Sequence, residues 1–132
     1  MPKIDAATAM PLLARARRGV LDSAQTRTAA RFALSALAER HPGHSVEVRV
    51  PFAGAVQMVD GPTHRRGTPP NVVEMDADVF LALAIGSMTW KEARESGKIS
   101  ASGSRADLAD FFPMFTSAAL DRWAFESDDS LQ

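Results

Sequence analysis

The chain has 132 residues, of which 45% are hydrophobic and 23% charged, and its formal net charge is −1 at pH 7. This size and composition predict one soluble globular domain, with a core that needs no disulfides to hold it. The near-neutral charge argues against a nucleic-acid-binding protein, which requires a basic face. The chain has no cysteine, which excludes disulfides, thiolate nucleophiles and thiolate metal ligands.

The beginning of the chain carries no recognisable targeting signal. Residues 1–19 lack the basic-then-apolar order of a secretory signal. Their longest uncharged run is far shorter than the ~20 apolar residues that a membrane span requires. We therefore expect a cytoplasmic protein without an integral membrane segment.

The first third of the chain is predicted to be helical. Pro11 suits the first turn of a helix, which Gly19 then disturbs. The second helix begins at Asp22, which can form a capping box with Gln25, and it ends at His41. Between these ends, apolar residues recur at the spacing of one helical stripe.

Alternating polarity begins after Ser45. Valines at positions 46, 48 and 50 alternate with Glu47 and Arg49, which predicts a half-buried strand. A second strand is predicted over residues 55–59.

A turn signal follows these two strands. Asp60 and Gly61 predict a hairpin whose return strand passes through residues 63–66. The Pro69–Pro70 pair then holds the link extended, and residues 71–75 are predicted to form another strand.

Helices return after residue 75. Asp76 is expected to cap a helix over residues 77–85, and Gly86 is expected to end it. Thr89 and Glu92 form a capping-box pair, which predicts a further short helix.

The C-terminal part contains one more predicted strand and two more predicted helices. Residues 98–102 alternate in polarity and predict the strand. Ser104 and Asp107 form a capping-box pair that predicts a helix closed by Pro113. A loosely held helix is predicted over residues 114–125.

The order of these elements predicts an α+β fold. Two helices, three or four strands, two helices, one strand and one helix suit a single sheet with helices gathered on one face. We predict one domain over residues 1–125. Residues 126–132 are acidic and have little to bury, which predicts a disordered tail.

The spaced motifs of the chain resemble those of the sterol carrier protein fold, and most closely its bacterial (actinobacterial) orthologue family. The stretches VEVRVPFAGAVQ, GTPPNVVE and SGSRADLADF are similar to hallmarks of that family. The resemblance also includes a run of glycine, short helix, strand, glycine and helix in the C-terminal half. That run is carried by Gly86, Trp90, Ala93, Gly97, Lys98, Ile99, Gly103, Asp107 and Leu108.

The resemblance implies a five-stranded, mostly antiparallel sheet with helices packed on one face. Eukaryotic relatives enclose an apolar tunnel and bind sterols, fatty acids or acyl-CoA without catalysis. Related modules also serve as accessory domains in larger enzymes, so the fold does not by itself define the function.

One group of residues is predicted to point between the sheet and the helices. The group is either a packed core or the lining of a cavity for an acyl chain or another apolar ligand. It comprises Val48, Val50, Val56, Met58, Phe80, Leu83, Phe111 and Phe112.

A second group is a candidate anion site. Arginine forks bind oxyanions through paired hydrogen bonds, and neutral donors nearby add to such a site. The alternative is a solvated sheet face with weak ion pairs. The group comprises Arg49, Arg65, Arg66, Thr68, Asn71 and Arg105.

The sequence offers no pattern for catalysis. His41, His44 and His64 are separated and form no metal-ligand spacing, and no nucleophile elbow or glycine-rich phosphate loop is present. We expect a protein that is not an enzyme and that needs neither metal nor cofactor.

These patterns leave two functional hypotheses. The first is a non-catalytic binding or carrier module that holds an apolar or amphipathic, lipid-like molecule between sheet and helices. The alternative is a protein-interaction or regulatory domain with a solid core, which contacts a partner enzyme through its arginine-bearing sheet face. Apolar residues near the C-terminus can serve either as a cover for the pocket or as a homodimer contact.

Overall fold

The computed structural model describes residues 3–19, 21–61 and 71–130, with side chains through residue 124. Runs of helices and runs of strands follow one another along the chain, as expected for a mixed α+β fold. The elements are α1 (Ala6–Ala16), α2 (Ser23–Arg40), β1 (Val46–Val50), β2 (Gly54–Met58), β3 (Asn71–Met75), α3 (Ala77–Ile85), α4 (Trp90–Glu95), β4 (Ile99–Ser102), a 3₁₀ turn (Ala109–Phe111) and α5 (Ser117–Ser130).

The strands form one sheet in the order β2-β1-β3-β4. β1 pairs antiparallel with β2 and parallel with β3, and β3 pairs antiparallel with β4. The described residues therefore contribute four strands, not the five that we expected. The predicted return strand, residues 63–66, lies outside the described part of the chain.

The pairing register separates the two faces of the sheet. Val48 lies opposite Val56 on β2 and Val73 on β3, whereas Arg49 lies opposite Ala55 and Glu74. Because side chains alternate along a strand, the valines of β1 all face the helices and its charged residues face outward. The burial of β1 follows this alternation, as predicted.

The core fills the space between the inner face of the sheet and the helices. α2 packs against α1, α3 and β2, and α1 packs against α5. The largest side chains that are almost completely buried are Phe80, Leu13, Leu34, Leu37, Met58, Leu83, Leu108, Leu120, Val46, Val48, Val50 and Val73.

Two capping boxes predicted from the sequence are present. At the start of α2, the Gln25 N–H donates to Asp22 Oδ1 over 2.8 Å, and the Asp22 N–H donates to Gln25 Oε1 over 3.0 Å. Thr89 and Glu92 make the same reciprocal pair at the start of α4. These local hydrogen bonds satisfy N–H groups that the first helical turn leaves free.

The first helix begins earlier than predicted. Asp5 caps it by accepting the Thr8 N–H over 2.8 Å, and this places Pro11 in the interior of α1 and not in its first turn. Hydrogen bonds from Thr8 lower the pKa of the Asp5 carboxyl, so the cap is charged at neutral pH.

The helix predicted between Ser104 and Pro113 is absent, and a single 3₁₀ turn takes its place. Asp107 accepts the N–H of Ala109, only two residues on, as in a local turn. The N–H of Arg105 is bonded to Asn71 at the start of β3, so this segment is held against that end of the strand.

The C-terminal helix differs from its prediction at both ends. α5 begins at Ser117 and runs to Ser130, whereas we predicted a helix over residues 114–125. It is tied to the end of α1 by an ion pair between Arg17 and Asp121, with 2.8 Å between Nη1 and Oδ1. The division into a domain of residues 1–125 and a tail of residues 126–132 stays a prediction.

The corner between α2 and β1 requires a glycine. Gly43 has φ +147°, and a β-carbon there would lie 2.1 Å from the carbonyl carbon of Val59. The backbone of Val59 is held at this corner from both sides, because its N–H donates to the His41 oxygen and its oxygen accepts the Ser45 N–H. The corner therefore cannot accept a side chain without moving the backbone.

We expect Gly43→Ala to destabilise the fold much more than Gly97→Ala. Gly97 has φ +70° but open space around it, so alanine there meets only the backbone penalty of roughly 1–2 kcal/mol. Gly43→Ala should lower the free energy of unfolding by at least about 2 kcal/mol more, because it also overlaps Val59. Urea unfolding of both variants measures the difference, and equal losses would show that the corner relaxes freely.

Candidate functional site

Most of the residues predicted to line an internal pocket are packed into the core. Val48, Val50, Met58, Phe80 and Leu83 are each at most 1% exposed and belong to one continuous apolar cluster. Binding among these five side chains would require the packed core to open.

The other aromatic members of this group have aromatic neighbours. The Phe112 ring lies edge-on to Phe80 at 6.1 Å and stacks on Trp90 at 6.2 Å between centroids. The Phe111 ring makes an edge contact with His41 at 4.6 Å. Both phenylalanines are half-buried, so they lie at the periphery of the core and are partly open to solvent.

Among the described members of the predicted anion group, Arg49 has a partner outside the group. Arg49 lies on the outer face of the sheet and forms an ion pair with Glu47 on the same strand. Its hydrogen bond to the Glu47 carboxylate raises the pKa of Arg49 above the ordinary value. The neighbouring carboxylate therefore already satisfies part of this guanidinium.

Two other members of that group do come together. Asn71, which is 3% exposed, donates from Nδ2 to the Ser45 oxygen over 2.7 Å and accepts the Arg105 N–H at Oδ1 over 2.9 Å. The Arg105 guanidinium donates to the Asp60 oxygen over 2.9 Å. Asn71 therefore ties three segments of backbone together. The remaining members, Arg65, Arg66 and Thr68, lie outside the described residues.

One large cleft was not predicted from the sequence. It lies between the start of α1, the exposed side of α2 and strand β2, and it has a volume of about 960 Å³. We call it the α1–α2–β2 cleft. It is lined by Lys3, Ile4, Asp5, Thr8, Thr28, Arg31, Leu34, Ser35, Ala53, Gly54, Ala55 and Val56.

Short side chains on β2 create this space. Ala53, Gly54 and Ala55 follow one another where β2 passes α2, so no bulky group fills the gap between strand and helix. This run of small residues was the sequence signal for the cleft. It becomes informative only once α2 is known to pack beside β2, because small residues in a strand are otherwise simply weak strand formers.

The cleft combines an apolar floor with a polar rim. Ile4 and Val56 supply partly exposed apolar surface with the almost fully buried Leu34 behind it, and Val56 is the one member of the predicted pocket group that lines this cleft. Thr28, Arg31 and Ser35 belong to the polar rim. They are spaced three and four positions apart on α2 and so lie along one side of the helix.

Arg31 is the cationic group that the cleft offers to a ligand. Its Nε donates to the Ala53 oxygen over 3.1 Å, which fixes the guanidinium beside the apolar floor. Within the described residues, its terminal nitrogens have no hydrogen-bond partner. The guanidinium therefore keeps free donors that can bind an oxyanion. Lys3, also at the rim, is instead paired with Glu39.

A smaller cavity lies between the end of α1, the start of α2 and α3. Its volume is about 240 Å³, below the roughly 300–1,000 Å³ of ordinary small-molecule pockets. The α1–α2–β2 cleft falls within that range and is therefore the better candidate site.

Across the described ranges, no three or more histidine and acidic side chains are grouped so that they can hold a metal ion. None of the described helices has the length and hydropathy needed to cross a membrane.

Comparison with known proteins identifies a family. A family model described as "Bacterial SCP ortholog" matches residues 22–114, which is more than two-thirds of the chain. The match extends from the cap of α2 to just beyond the 3₁₀ turn, so it includes the whole described sheet. A search of curated proteins finds no match.

The contacts of Asn71 predict that its side chain stabilises the fold more than the side chain of Arg105 does. Asn71→Ala should lower the free energy of unfolding by about 2–3 kcal/mol, because the buried Ser45 oxygen and the partly buried Arg105 N–H both lose their partner. Arg105→Ala keeps its backbone N–H and loses only an exposed contact, so it should cost less than about 1 kcal/mol. Urea unfolding measures both. A larger loss in Arg105→Ala would contradict this assignment.

Proposed function

The chain belongs to the bacterial sterol carrier protein orthologue family, and we propose that it is a non-catalytic carrier that binds an apolar or amphipathic, lipid-like ligand. The family suggests a lipid-carrier role in general terms. The observation that supports this role here is the α1–α2–β2 cleft, in which an apolar floor meets an arginine with free donors.

The cleft suits an amphipathic ligand better than a purely apolar one. An acyl chain laid along Ile4 and Val56 would remove apolar surface from water on both partners, and burial of each CH₂ group contributes ≈ 0.8 kcal/mol. An anionic head group at the other end would meet the guanidinium of Arg31. Such a charge-assisted pair is stronger than a neutral hydrogen bond.

The orientation of Arg31 is set before the ligand arrives. Its bond to the Ala53 oxygen holds the side chain at the rim. A side chain that is already ordered loses less conformational entropy on binding, so more of the contact energy contributes to affinity. Thr28 and Ser35, on the same side of α2, add neutral hydroxyl groups near the head-group position.

The interior residues enter this proposal in a different role. Contact of the ligand with Val48, Val50, Met58, Phe80, Leu83, Phe111 or Phe112 stays a prediction. In the proposed arrangement the first five form the rigid core behind the cleft, and Val56 is the point at which core and cleft meet.

The alternative function has less support. A regulatory domain that meets a partner enzyme through its arginine-bearing face would need free arginines there, and Arg49 is paired with Glu47. The non-catalytic character of the carrier is proposed from the family. Cytoplasmic location and a homodimer stay predictions.

Binding of a fluorescent long-chain fatty acid and its acyl-CoA tests the carrier function. The wild-type protein should bind at micromolar concentration. Thr28→Trp places a large ring in the cleft and should weaken binding by about tenfold, equivalent to ≈ 1.4 kcal/mol. Ala24→Trp is the matched control, because Ala24 is exposed on the same helix outside the cleft, and it should bind like the wild type.

The role of Arg31 is tested with a matched ligand pair. Arg31→Gln should weaken binding of the fatty acid by about tenfold and of its uncharged methyl ester by less than about twofold. No binding by the wild type at micromolar concentration would contradict the carrier function. If the wild type and Thr28→Trp bind equally well, the ligand does not occupy the cleft, and the interior residues become the candidate site again.

A further inference from the structure

The turn between β1 and β2 presents an aromatic ring to solvent. Phe52 is 87% exposed, and within the described residues it is the only large hydrophobic side chain that is exposed. Its φ is +65°, in the left-handed region. Bulky side chains rarely adopt this conformation, which glycine or asparagine takes far more readily.

The surrounding structure holds Phe52 in this position. The Ala53 N–H donates to the Val50 oxygen over 3.0 Å and closes the turn. The Ala53 oxygen accepts the bond from Arg31, and Ala53 itself is buried. The turn is thus anchored to α2 on one side of Phe52 and to β1 on the other. Strained, over-determined conformations of this kind occur preferentially at functional sites.

The turn is continuous with the proposed ligand cleft. Ala53, Gly54 and Ala55, the residues that immediately follow Phe52, line the α1–α2–β2 cleft. A surface that contacts the Phe52 ring therefore also lies close to the β2 end of this cleft.

The charges around Phe52 are mixed and nearly balanced. A cleft on one side of the ring contains Arg27 and two aspartates. A cleft on the other side contains Arg31 and Arg49 with two glutamates. This surface has no net positive charge with which to attract anionic lipid or nucleic acid. Its alternating signs instead match zwitterionic head groups, each of which carries one charge of either sign.

A lipid surface fits this feature better than a protein partner. Stable protein interfaces bury at least about 1,000 Å² around a contiguous apolar centre, whereas Phe52 is a single ring surrounded by charged residues. One aromatic ring is sufficient for transient partition into the interfacial zone of a bilayer. Burial of a single phenylalanine corresponds to roughly a tenfold to hundredfold preference, which permits release.

We propose that Phe52 is a membrane-docking residue, which inserts into the interface of a zwitterionic phospholipid bilayer and brings the α1–α2–β2 cleft to the lipid surface for ligand exchange. The exchange step rests on the proposed carrier function, but docking does not. The two can therefore fail separately.

Docking is tested with phosphatidylcholine vesicles and a tryptophan reporter. Phe52→Trp should show a blue-shifted tryptophan emission when vesicles are added. The wild type is measured in parallel, because it gives the emission of Trp90 and Trp123 alone. Replacing part of the phosphatidylcholine with phosphatidylglycerol should change the titration by less than about twofold. An unshifted emission would overturn the proposal. A shift that depends on protein concentration without vesicles would also overturn it, in favour of self-association.

Phe52→Gly separates docking from folding, because it relieves the backbone strain. It should raise the melting temperature, slow fatty-acid transfer between phosphatidylcholine vesicles about tenfold, and leave solution affinity for the same fatty acid within about twofold. Phe52→Leu keeps an apolar tip and should retain most of the transfer rate. If Phe52→Gly transfers fatty acid between vesicles as fast as the wild type does, the proposal is overturned. If the wild type does not bind the fatty acid in solution but the emission of Phe52→Trp still shifts when vesicles are added, only the carrier function is overturned.

Discussion

The alternation of side chains along β1 is the constraint on which the rest of the structure depends. β1 is hydrogen-bonded on both sides, antiparallel to β2 and parallel to β3, so its register decides which face of each neighbour is buried. With its three valines turned toward the helices, Arg49 and Glu47 must face outward. A shift of one residue would exchange the two sets and place charge in the core, which the burial cost of unpaired charge prevents.

The cleft and the exposed aromatic tip both arise from where β1 ends. The chain leaves β1 at Pro51, turns through a strained residue and returns as a strand that begins with small side chains. Arg31 of α2 meets this turn at the Ala53 oxygen, and the same bond both anchors the turn to α2 and orients the guanidinium toward the cleft. One hydrogen bond thus links the proposed head-group contact to the proposed membrane contact.

Local signals in the sequence were reliable where one short segment contains both partners of an interaction. The capping boxes of α2 and α4 pair residues three apart, and the alternation of β1 needs only five residues. The same rule failed at Ser104 and Asp107, although the spacing was correct. There Asp107 accepts the Ala109 N–H in a local turn, and the Arg105 N–H is bonded to Asn71, 34 residues away, so the predicted capping box does not form.

The sequence alone determined the α+β class, most element boundaries, the buried face of the sheet and the resemblance to a family. Each of these depends on residue type and short spacing. Only the tertiary structure decided that the predicted pocket residues are largely packed core and that Asn71 joins three segments of backbone. It also revealed a cleft beside β2. A cleft is space left between distant segments, and its existence depends on how α1, α2 and β2 pack together, which residue spacing does not encode.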